Sequence, residues 1–236
     1  MENKSLESIL HNMKCAIFDM DGTILDSMPM WTNVGNIFLA ERGMSEDSEL
    51  WSLIKTRSLK QASELIKDRY SLKDSADKIY DDLNAITFRE YSTRLLLKEG
   101  AREFLGELKR RGIPAVLATA TDRSCVDSCL SRLEIKGDFA HILTCKELRT
   151  SKSEPLSFEE AAKQCGVKKE DAVVFEDALH AIKTALNDSF RVVAIEDIVA
   201  HEKREGKENE CDWNEIRTIA TAAVSSWKEI LDAIGA

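Results

Sequence analysis

Two aspartates, Asp19 and Asp21, follow directly after a short apolar run. Residues two apart in an extended backbone point the same way, so both carboxylates face one site. Two like charges held this close are costly unless a cation neutralises them or one takes a proton. Gly22 permits the tight turn that takes the chain out of the strand. The pattern indicates a site that binds a cation or handles a proton. The alternative is a solvated turn, in which Asp and Gly are common.

Three more polar groups follow apolar runs further along the chain. Thr119-Ala120-Thr121 offers a hydroxyl and backbone N–H groups at a helix start, which suit an anion such as phosphate. Lys152 has the charge to neutralise a transferring phosphoryl group. Glu176-Asp177 is a second acidic pair, and magnesium typically takes one or two carboxylates plus waters and substrate phosphate. Each group also has a purely structural explanation. The Thr119 and Glu176-Asp177 segments could cap helices, and Lys152 could lie in a surface loop.

The segments that must position these side chains alternate between apolar runs and amphipathic helices. The apolar runs predict five buried strands, at residues 14–18, 113–118, 141–145, 172–175 and 191–195. Between them, apolar residues recur at helical spacing, as in Ala101, Phe104, Leu105 and Leu108 before Gly112. This alternation predicts an α/β fold with a Rossmann-like, mainly parallel sheet that has helices on both faces.

Residues 28–97 show only helical patterns and form a small all-helical domain inserted after the first strand. Residues 1–27 and 98–236 then make up the Rossmann-like domain. Open parallel sheets bind ligands beyond the carboxyl ends of their strands. Because the four polar groups all follow predicted strands, we expect them to meet at that edge of the sheet.

Composition limits the kinds of partner that this chain can have. A net charge of −9 argues against a nucleic acid or an anionic membrane surface, since both attract clustered Lys and Arg. No stretch approaches the roughly 20 apolar residues of a membrane helix. The first residues show no sustained apolar run and no small-residue cleavage site. We therefore expect a cytoplasmic protein, monomeric or a small homo-oligomer, that acts on a small molecule.

The cysteines show no CxxC motif. A disulfide framework needs an oxidising compartment, which nothing in the sequence indicates. Cys15, Cys129 and Cys165 fall on apolar faces, where reduced thiols commonly lie. We expect all six cysteines to be reduced and structural; they are Cys15, Cys125, Cys129, Cys145, Cys165 and Cys211.

The four polar groups, in this order and each after a strand, resemble the four motifs of the haloacid dehalogenase superfamily. FDMDGT at 18–23, followed by Leu25-Asp26-Ser27, is similar to the first motif. Thr119 matches the second motif, Lys152 the third and Glu176-Asp177 the fourth. The likeness runs from about residue 14 to 231. It is strongest for the branch of phosphoglycolate phosphatase and β-phosphoglucomutase, in which the helical insertion is a mobile cap.

The resemblance implies a magnesium-dependent phosphoric monoester hydrolase that acts on a small phosphorylated metabolite. Asp19 would attack phosphorus and become an aspartyl phosphate, which splits the transfer into two steps. Asp21 would be the general acid and base and would offer its backbone carbonyl to Mg²⁺. Thr119 and the Ala120 N–H would hold the phosphoryl oxygens.

The same resemblance places the remaining charged groups around the phosphoryl group. Lys152 would neutralise the phosphoryl oxygens. Asp177 would bind Mg²⁺ directly, together with Asp19 and Asp21. Glu176 would lie beside it, either as a metal ligand or as a supporting residue.

Three departures from the family pattern affect supporting contacts. Ala178 stands where that branch usually has Ser, and His180-Ala181 replaces an Ala-Gly or Asn-Gly pair. Ser153-Glu154-Pro155 follows Lys152 in place of a double-proline loop. These changes bear on hydrogen bonding and loop rigidity. We interpret His180 as structural and not as a metal ligand, because magnesium prefers oxygen.

The main alternative is a sugar phosphomutase of the β-phosphoglucomutase type. In that branch a histidine after the first motif and an arginine in a Gly-containing cap loop help the cap to close on the sugar. Trp31 falls at the histidine position, and the loop at 55–59 has no glycine and no arginine at the matching place. We therefore favour hydrolysis. Substrate recognition is expected in the cap, where core or solvated roles are the alternative for each candidate, namely Trp31, Lys55, Arg57 and Lys60.

Two other functions that this fold could have are disfavoured. A catalytically idle binding protein would not need the complete set of charged and hydroxyl residues that the mechanism requires. A dehalogenase would not call for the second aspartate and the magnesium ligands.

Overall fold

The computed structural model describes residues 6–55, 57–197 and 212–235. Thr56 of the loop at 55–59 and Cys211 lie outside these residues. The chain divides into two compact units, one comprising Met1–Asp26 with Leu96–Ala236 and the other Ser27–Leu95. That the second unit acts as a mobile cap stays a prediction.

The first unit is built on a six-stranded sheet in the order β3-β2-β1-β4-β5-β6, with every neighbouring pair parallel. The strands are β1 (Cys15–Phe18), β2 (Ala115–Thr119), β3 (His141–Thr144), β4 (Ala172–Glu176), β5 (Arg191–Ile195) and β6 (Ala222–Val224). This is the strand order of a doubly wound Rossmann fold, whose topological switch point lies between β1 and β4. The predicted α/β fold with a parallel sheet is confirmed.

The helices of the first unit cover both faces of this sheet. They are α1 (Leu6–His11), α6 (Ala101–Arg111), α7 (Arg123–Arg132), α8 (Cys145–Leu148), α9 (Leu156–Gln164), α10 (Leu179–Asn187), α11 (Asp212–Ile219) and α12 (Trp227–Ile234). The apolar face predicted for α6 is buried. Gly112 ends α6 in the left-handed region, with φ 69°, where glycine has no steric penalty.

Each face of the sheet has its own core. On one face the Phe18 and Phe175 rings stack at 4.9 Å, and Trp227 stacks on Phe104 at 5.2 Å. On the other face Ile17 of β1 belongs to a cluster that includes Phe158 of α9. Every residue of β1, β2 and β4 is buried. This explains why these strands are continuous apolar runs in the sequence, as expected for a sheet covered on both faces.

The second unit is all helical among its described residues. Its helices are α2 (Met28–Ala40), α3 (Leu50–Ile54), α4 (Leu59–Arg69) and α5 (Ala76–Thr93). Ser58 and Gln61 form a capping box at the start of α4, and Ser75 accepts a hydrogen bond from the Lys78 N–H at the start of α5. These caps satisfy N–H groups that a helix start leaves unpaired.

No helix in the described ranges has both the length and the apolar character needed to cross a membrane. The five cysteines that lie within those ranges are free thiols. Four of them are buried and Cys165 is partly exposed.

Candidate active site

The structure brings the predicted polar groups together at one edge of the sheet, beyond the carboxyl ends of β1, β2, β3 and β4. β1 lies between β2 and β4, so residues at the ends of these strands share one edge of the sheet. This edge includes the topological switch point, where open α/β sheets bind their ligands. The groups are Asp19 and Asp21 after β1, Thr119 at the end of β2, Lys152 in the segment after β3 and α8, and Glu176-Asp177 at the end of β4.

Lys152 is a buried lysine held by two carboxylates. Its Nζ lies 2.9 Å from Asp19 Oδ1 and 2.8 Å from Glu176 Oε2. Only 7% of the lysine side chain is exposed, so the alternative of a surface lysine is wrong. Burial by itself would lower the pKa of Lys152, but the charges of Asp19 and Glu176 raise it. The group therefore stays cationic inside the protein.

Asp19, Glu176 and Asp177 form a compact acidic group. Each offers one carboxylate oxygen, and these oxygens all lie within 4.8 Å of one another. Burial and then the charge of Asp19 raise the pKa of Glu176 to about 7. Burial and then the charge of Glu176 raise the pKa of Asp177 well above its ordinary value. It is therefore costly to ionise all three carboxylates at once, even with the Lys152 cation beside Asp19 and Glu176.

These donors suit a small divalent cation. All are carboxylate oxygens, which hard ions such as Mg²⁺ prefer over the nitrogen and sulfur donors of softer metals. A divalent ion would also offset the excess negative charge that raises the pKa of Glu176 and Asp177. The residues present therefore fit the predicted metal by chemistry and by spacing.

The turn after β1 is shaped around Asp177. Thr23 Oγ1 donates a hydrogen bond to Asp177 Oδ1 at 3.0 Å. Gly22 has φ 78°, and a Cβ at this position would lie 2.4 Å from Asp177 Oδ2. Glycine is therefore needed both for the backbone conformation and for the space beside the carboxylate. Trp227, which is buried, donates from Nε1 to Thr23 O at 3.0 Å and anchors the turn from α12.

The segment after β2 connects a predicted phosphate-binding residue with Asp21. Thr119 is buried, and its Oγ1 accepts a hydrogen bond from the Thr121 N–H at 3.1 Å. Thr121 Oγ1 in turn donates to Asp21 Oδ2 at 2.5 Å. Asp122 precedes α7 but makes no capping hydrogen bond with its side chain, so capping by Asp122 does not explain this loop. Ala120 is exposed at the strand end.

Lys98 and Asp197 are charged residues of this edge that the sequence analysis missed. Lys98 Nζ lies 2.8 Å from Asp197 Oδ2 and donates to Glu196 O at 3.0 Å. Asp197 is buried two residues after the end of β5. The charge of Lys98 opposes the rise in the pKa of Asp177. Since Asp197 follows the fifth predicted strand, the rule that identified the other groups would also have identified it.

Two of the three departures from the family pattern lie at the start of α10, and the third lies in the loop before α9. Ala178 has no side chain with which to cap the helix, and Glu176 Oε1 accepts from its N–H at 3.3 Å instead. His180 is exposed in the first turn and is not a member of the acidic group. The loop after Lys152 leads through Pro155 directly into α9.

Two of the predicted recognition residues have partners within the helical unit. Trp31 Nε1 donates to the Tyr91 hydroxyl at 3.1 Å. Arg57 Nε donates to Leu53 O at 2.8 Å. Lys55 and Lys60 are exposed. The roles of these four residues in substrate recognition stay predictions.

Comparison with known proteins places the chain among hydrolases. The family model for haloacid dehalogenase-like hydrolases matches residues 13–187. A phosphorylated carbohydrates phosphatase of Thermotoga maritima is 25% identical over 197 residues, which cover 83% of this chain and 89% of the relative. Hexitol phosphatase B of Escherichia coli is 26% identical over 176 residues, which cover 71% of this chain and 76% of the relative.

Solved structures show the same fold. A β-phosphoglucomutase-like protein from Thermotoga maritima superposes with a TM-score of 0.78 at 23% identity, covering 94% of this chain and 99% of that protein. At this level of identity the likeness establishes the fold and leaves the reaction open.

Proposed function

The chain belongs to the haloacid dehalogenase-like hydrolase family, and on that premise we propose that it is a magnesium-dependent phosphatase of a small phosphorylated metabolite with Asp19 as its nucleophile. Family and fold are as the sequence predicts. The enzyme class agrees too, since the two sequence relatives described above are named as phosphatases. The observation that carries the proposal is the buried Lys152, held between Asp19 and Glu176.

The contacts of Lys152 support a nucleophilic role for Asp19. Burying a lysine with carboxylates is costly, and such an arrangement persists where it serves chemistry. The Lys152 ammonium lies 2.9 Å from Asp19 Oδ1 and places positive charge beside the proposed nucleophile. The same cation can compensate charge on the phosphoryl oxygens as Asp19 attacks. Thr119 and the Ala120 N–H would hold those oxygens from the end of β2.

The reaction would proceed in two half-reactions. In the first, an Asp19 carboxylate oxygen bonds to phosphorus while the bond from phosphorus to the leaving oxygen breaks, and Asp21 gives its proton to that oxygen. In the second, Asp21 takes a proton from water as the water oxygen bonds to phosphorus and the bond to Asp19 breaks. Inorganic phosphate leaves, and both aspartates return to their starting states.

Asp19 and Asp177 would bind Mg²⁺ through carboxylate oxygens, and Asp21 would bind it through its backbone carbonyl. Both oxygens of Glu176 already accept hydrogen bonds, from Lys152 and from the Ala178 N–H. This favours a supporting role for Glu176 over direct ligation. When bound, Mg²⁺ supplies positive charge that stabilises the in-line, charge-rich transition state.

We propose a phosphorylated sugar or polyol as the substrate class. The relatives act, by their names, on phosphorylated carbohydrates and hexitol phosphates.

A phosphomutase is the competing function. A mutase must protect its aspartyl phosphate from water while a sugar phosphate turns over. Trp31, at the position where that branch has a histidine, donates to Tyr91 within the helical unit.

A panel of sugar and polyol phosphates, with 4-nitrophenyl phosphate as a generic substrate, tests the proposal. Phosphate release should require Mg²⁺ and should stop in excess EDTA. Acid-quenched protein should carry phosphate on Asp19. Full activity in EDTA, or phosphate on another residue, would overturn the mechanism.

A separate incubation, with β-glucose 1-phosphate and a trace of the 1,6-bisphosphate, tests the mutase alternative. Glucose 6-phosphate forming faster than free phosphate would make this protein a mutase.

A further inference from the structure

We propose that Thr121 is a positioning residue that holds the carboxyl group of Asp21 in place for proton transfer to the leaving group. The inference rests on the proposed role of Asp21 as general acid and base. Its basis is the hydrogen bond from Thr121 Oγ1 to Asp21 Oδ2, at 2.5 Å. The two residues are 100 positions apart in sequence and meet only because β1 and β2 are neighbours in the sheet.

Asp21 needs such a contact because it does not lie in a regular element. It follows β1 in a turn and is partly exposed, so its side chain has more than one staggered position open to it. An acid that donates to a leaving oxygen must lie within hydrogen-bond reach of that oxygen. A hydroxyl that donates to one oxygen of a carboxyl group restricts the side chain.

Thr121 is suited to this role because its own conformation is restricted. Its side chain is β-branched, which limits rotation about χ1. Its N–H donates to Thr119 Oγ1 at 3.1 Å, and Thr119 is buried at the end of β2. Asp21 is therefore connected through one residue to the rigid sheet. The contact with Asp21 is made by the Thr121 hydroxyl and the contact with Thr119 by the Thr121 backbone N–H, so removing the hydroxyl should affect Asp21 and leave the Thr119 contact intact.

The chemistry of the leaving group allows this role to be measured. An alkoxide is a poor leaving group and needs a proton as the bond to phosphorus breaks, whereas 4-nitrophenolate leaves without one. For a two-step hydrolysis, kcat/KM reports the half-reaction that expels the leaving group. A misplaced Asp21 should therefore lower kcat/KM for an alkyl phosphate much more than for 4-nitrophenyl phosphate. A general loss of structure would lower both equally.

The experiment compares Thr121→Val, which keeps the shape but removes the hydroxyl, with Thr121→Ser, which keeps the hydroxyl. Substrates are 4-nitrophenyl phosphate and the alkyl phosphate that the panel identifies. For Thr121→Val we expect kcat/KM to fall about 10-fold to 100-fold with the alkyl phosphate and less than about threefold with the aryl phosphate. Thr121→Ser should recover most of the loss. Inhibition by inorganic phosphate should be unchanged, because the Thr119 contact uses the backbone of Thr121.

Two reference variants distinguish failure of this inference from failure of the proposed function. Thr218→Val removes an exposed hydroxyl that donates to Asn214 O on α11, and both substrates should be unaffected. Asp21→Asn should show the same preference for the aryl substrate as Thr121→Val, but more strongly.

If Asp21→Asn shows this preference and Thr121→Val does not, the positioning role is wrong. Equal losses with both substrates for Thr121→Val would also contradict it. If Asp21→Asn shows no preference, the proposed acid role fails, and this inference fails with it.

Discussion

A buried carboxylate of the sheet-containing unit and a near-surface carboxylate of the helical unit have pKa values displaced in opposite directions. In the sheet-containing unit, burial and the charge of Asp19 raise the pKa of Glu176 to about 7. In the helical unit, a hydrogen bond from Tyr70 and another from Arg69 lower the pKa of Asp47 to about 2. Glu176 is thus held in an environment that opposes its charge, whereas Asp47 is held in one that favours it.

The difference separates charges that stabilise the fold from charges that we propose take part in the chemistry. Asp47 accepts from Arg69 at 2.8 Å and from the Tyr70 hydroxyl at 2.6 Å, near the surface, and these contacts join separate parts of the helical unit. Asp19, Glu176 and Asp177 instead crowd together, and the first two contact one buried lysine. A protein maintains such unfavourable crowding where a ligand completes it.

Asp19→Asn should abolish turnover and leave the fold intact. The amide is a poor nucleophile, so we expect a loss of more than about 10³-fold in kcat with a sugar phosphate. Because the substitution also removes one of three crowded carboxylates, the melting temperature should not fall. Activity assays together with thermal melts followed by circular dichroism check both parts. Asp81→Asn, on the surface of α5, is the control from the helical unit and should stay within about twofold of the unmodified protein.

Gly22→Ala should reduce activity at least about 10-fold and destabilise the protein by about 1–3 kcal/mol. The new Cβ meets Asp177 Oδ2 at 2.4 Å, and the residue keeps a left-handed φ of 78°. Gly43→Ala is a matched control in the helical unit. It has φ 68° but nothing within 4 Å of the added Cβ, so it should show the backbone effect alone and full activity. Equal activity in the two variants would contradict the predicted contact with Asp177.

Stability of the metal-free protein should fall as pH rises, and Mg²⁺ should reverse this. The pKa of Glu176 is raised from 4.5 to about 7, and the pKa of Asp177 moves in the same direction. A carboxyl group whose pKa is higher in the folded protein than in the unfolded chain contributes stability at pH values below its unfolded pKa. This stability is lost as the pH rises through its folded pKa. The increase in melting temperature caused by Mg²⁺ should therefore grow from about pH 5 to about pH 8.

Thermal melts across this pH range, in EDTA and in Mg²⁺, measure the two melting temperatures. Glu176→Gln removes one of the two titrating groups, so its EDTA curve should depend less on pH. A melting temperature in EDTA that rises over the same range would contradict the assignment.

The smallest effect is expected in the helical unit. Arg42 pairs with Asp82 at 2.5 Å, and its guanidinium lies 3.6 Å from the centre of the Phe38 ring. Arg42→Met should destabilise the protein by about 1 kcal/mol, since both contacts are partly exposed to solvent. Lys78→Met removes a more exposed partner of the same Asp82 and should have a smaller effect. Urea denaturation measures both, and a loss of activity in folded Arg42→Met would contradict a purely structural role.

Most of the parallel sheet could be predicted because its strands carry local signals. β1 to β5 are apolar runs followed by polar residues, and the amphipathic helices between them have clear stop signals such as Gly112. β6 was missed because Ala222–Val224 is three residues long and shows no distinctive pattern. α1 was missed for a similar reason, being six residues long.

The pairings inside the site were beyond local analysis. Thr23 with Asp177, Lys98 with Asp197 and Thr121 with Asp21 join segments that are far apart in the sequence. No periodicity links such residues, because each contact exists only after the strands have taken their places. The Cys15 thiol, which donates to Cys165 Sγ at 3.0 Å across the start of β1 and the end of α9, is a further example.

The sequence by itself determined which residues are candidates for the chemistry, since their types and their positions after apolar strands are properties of the chain. It also determined the fold class, because a period of two or of three to four residues is local. The tertiary structure decided how the charges are distributed. Strand order placed Lys152 between Asp19 and Glu176, and burial then raised the pKa of Glu176 and Asp177. Electrostatic effects of this kind depend on distance and on exclusion of water, which exist only in the folded protein.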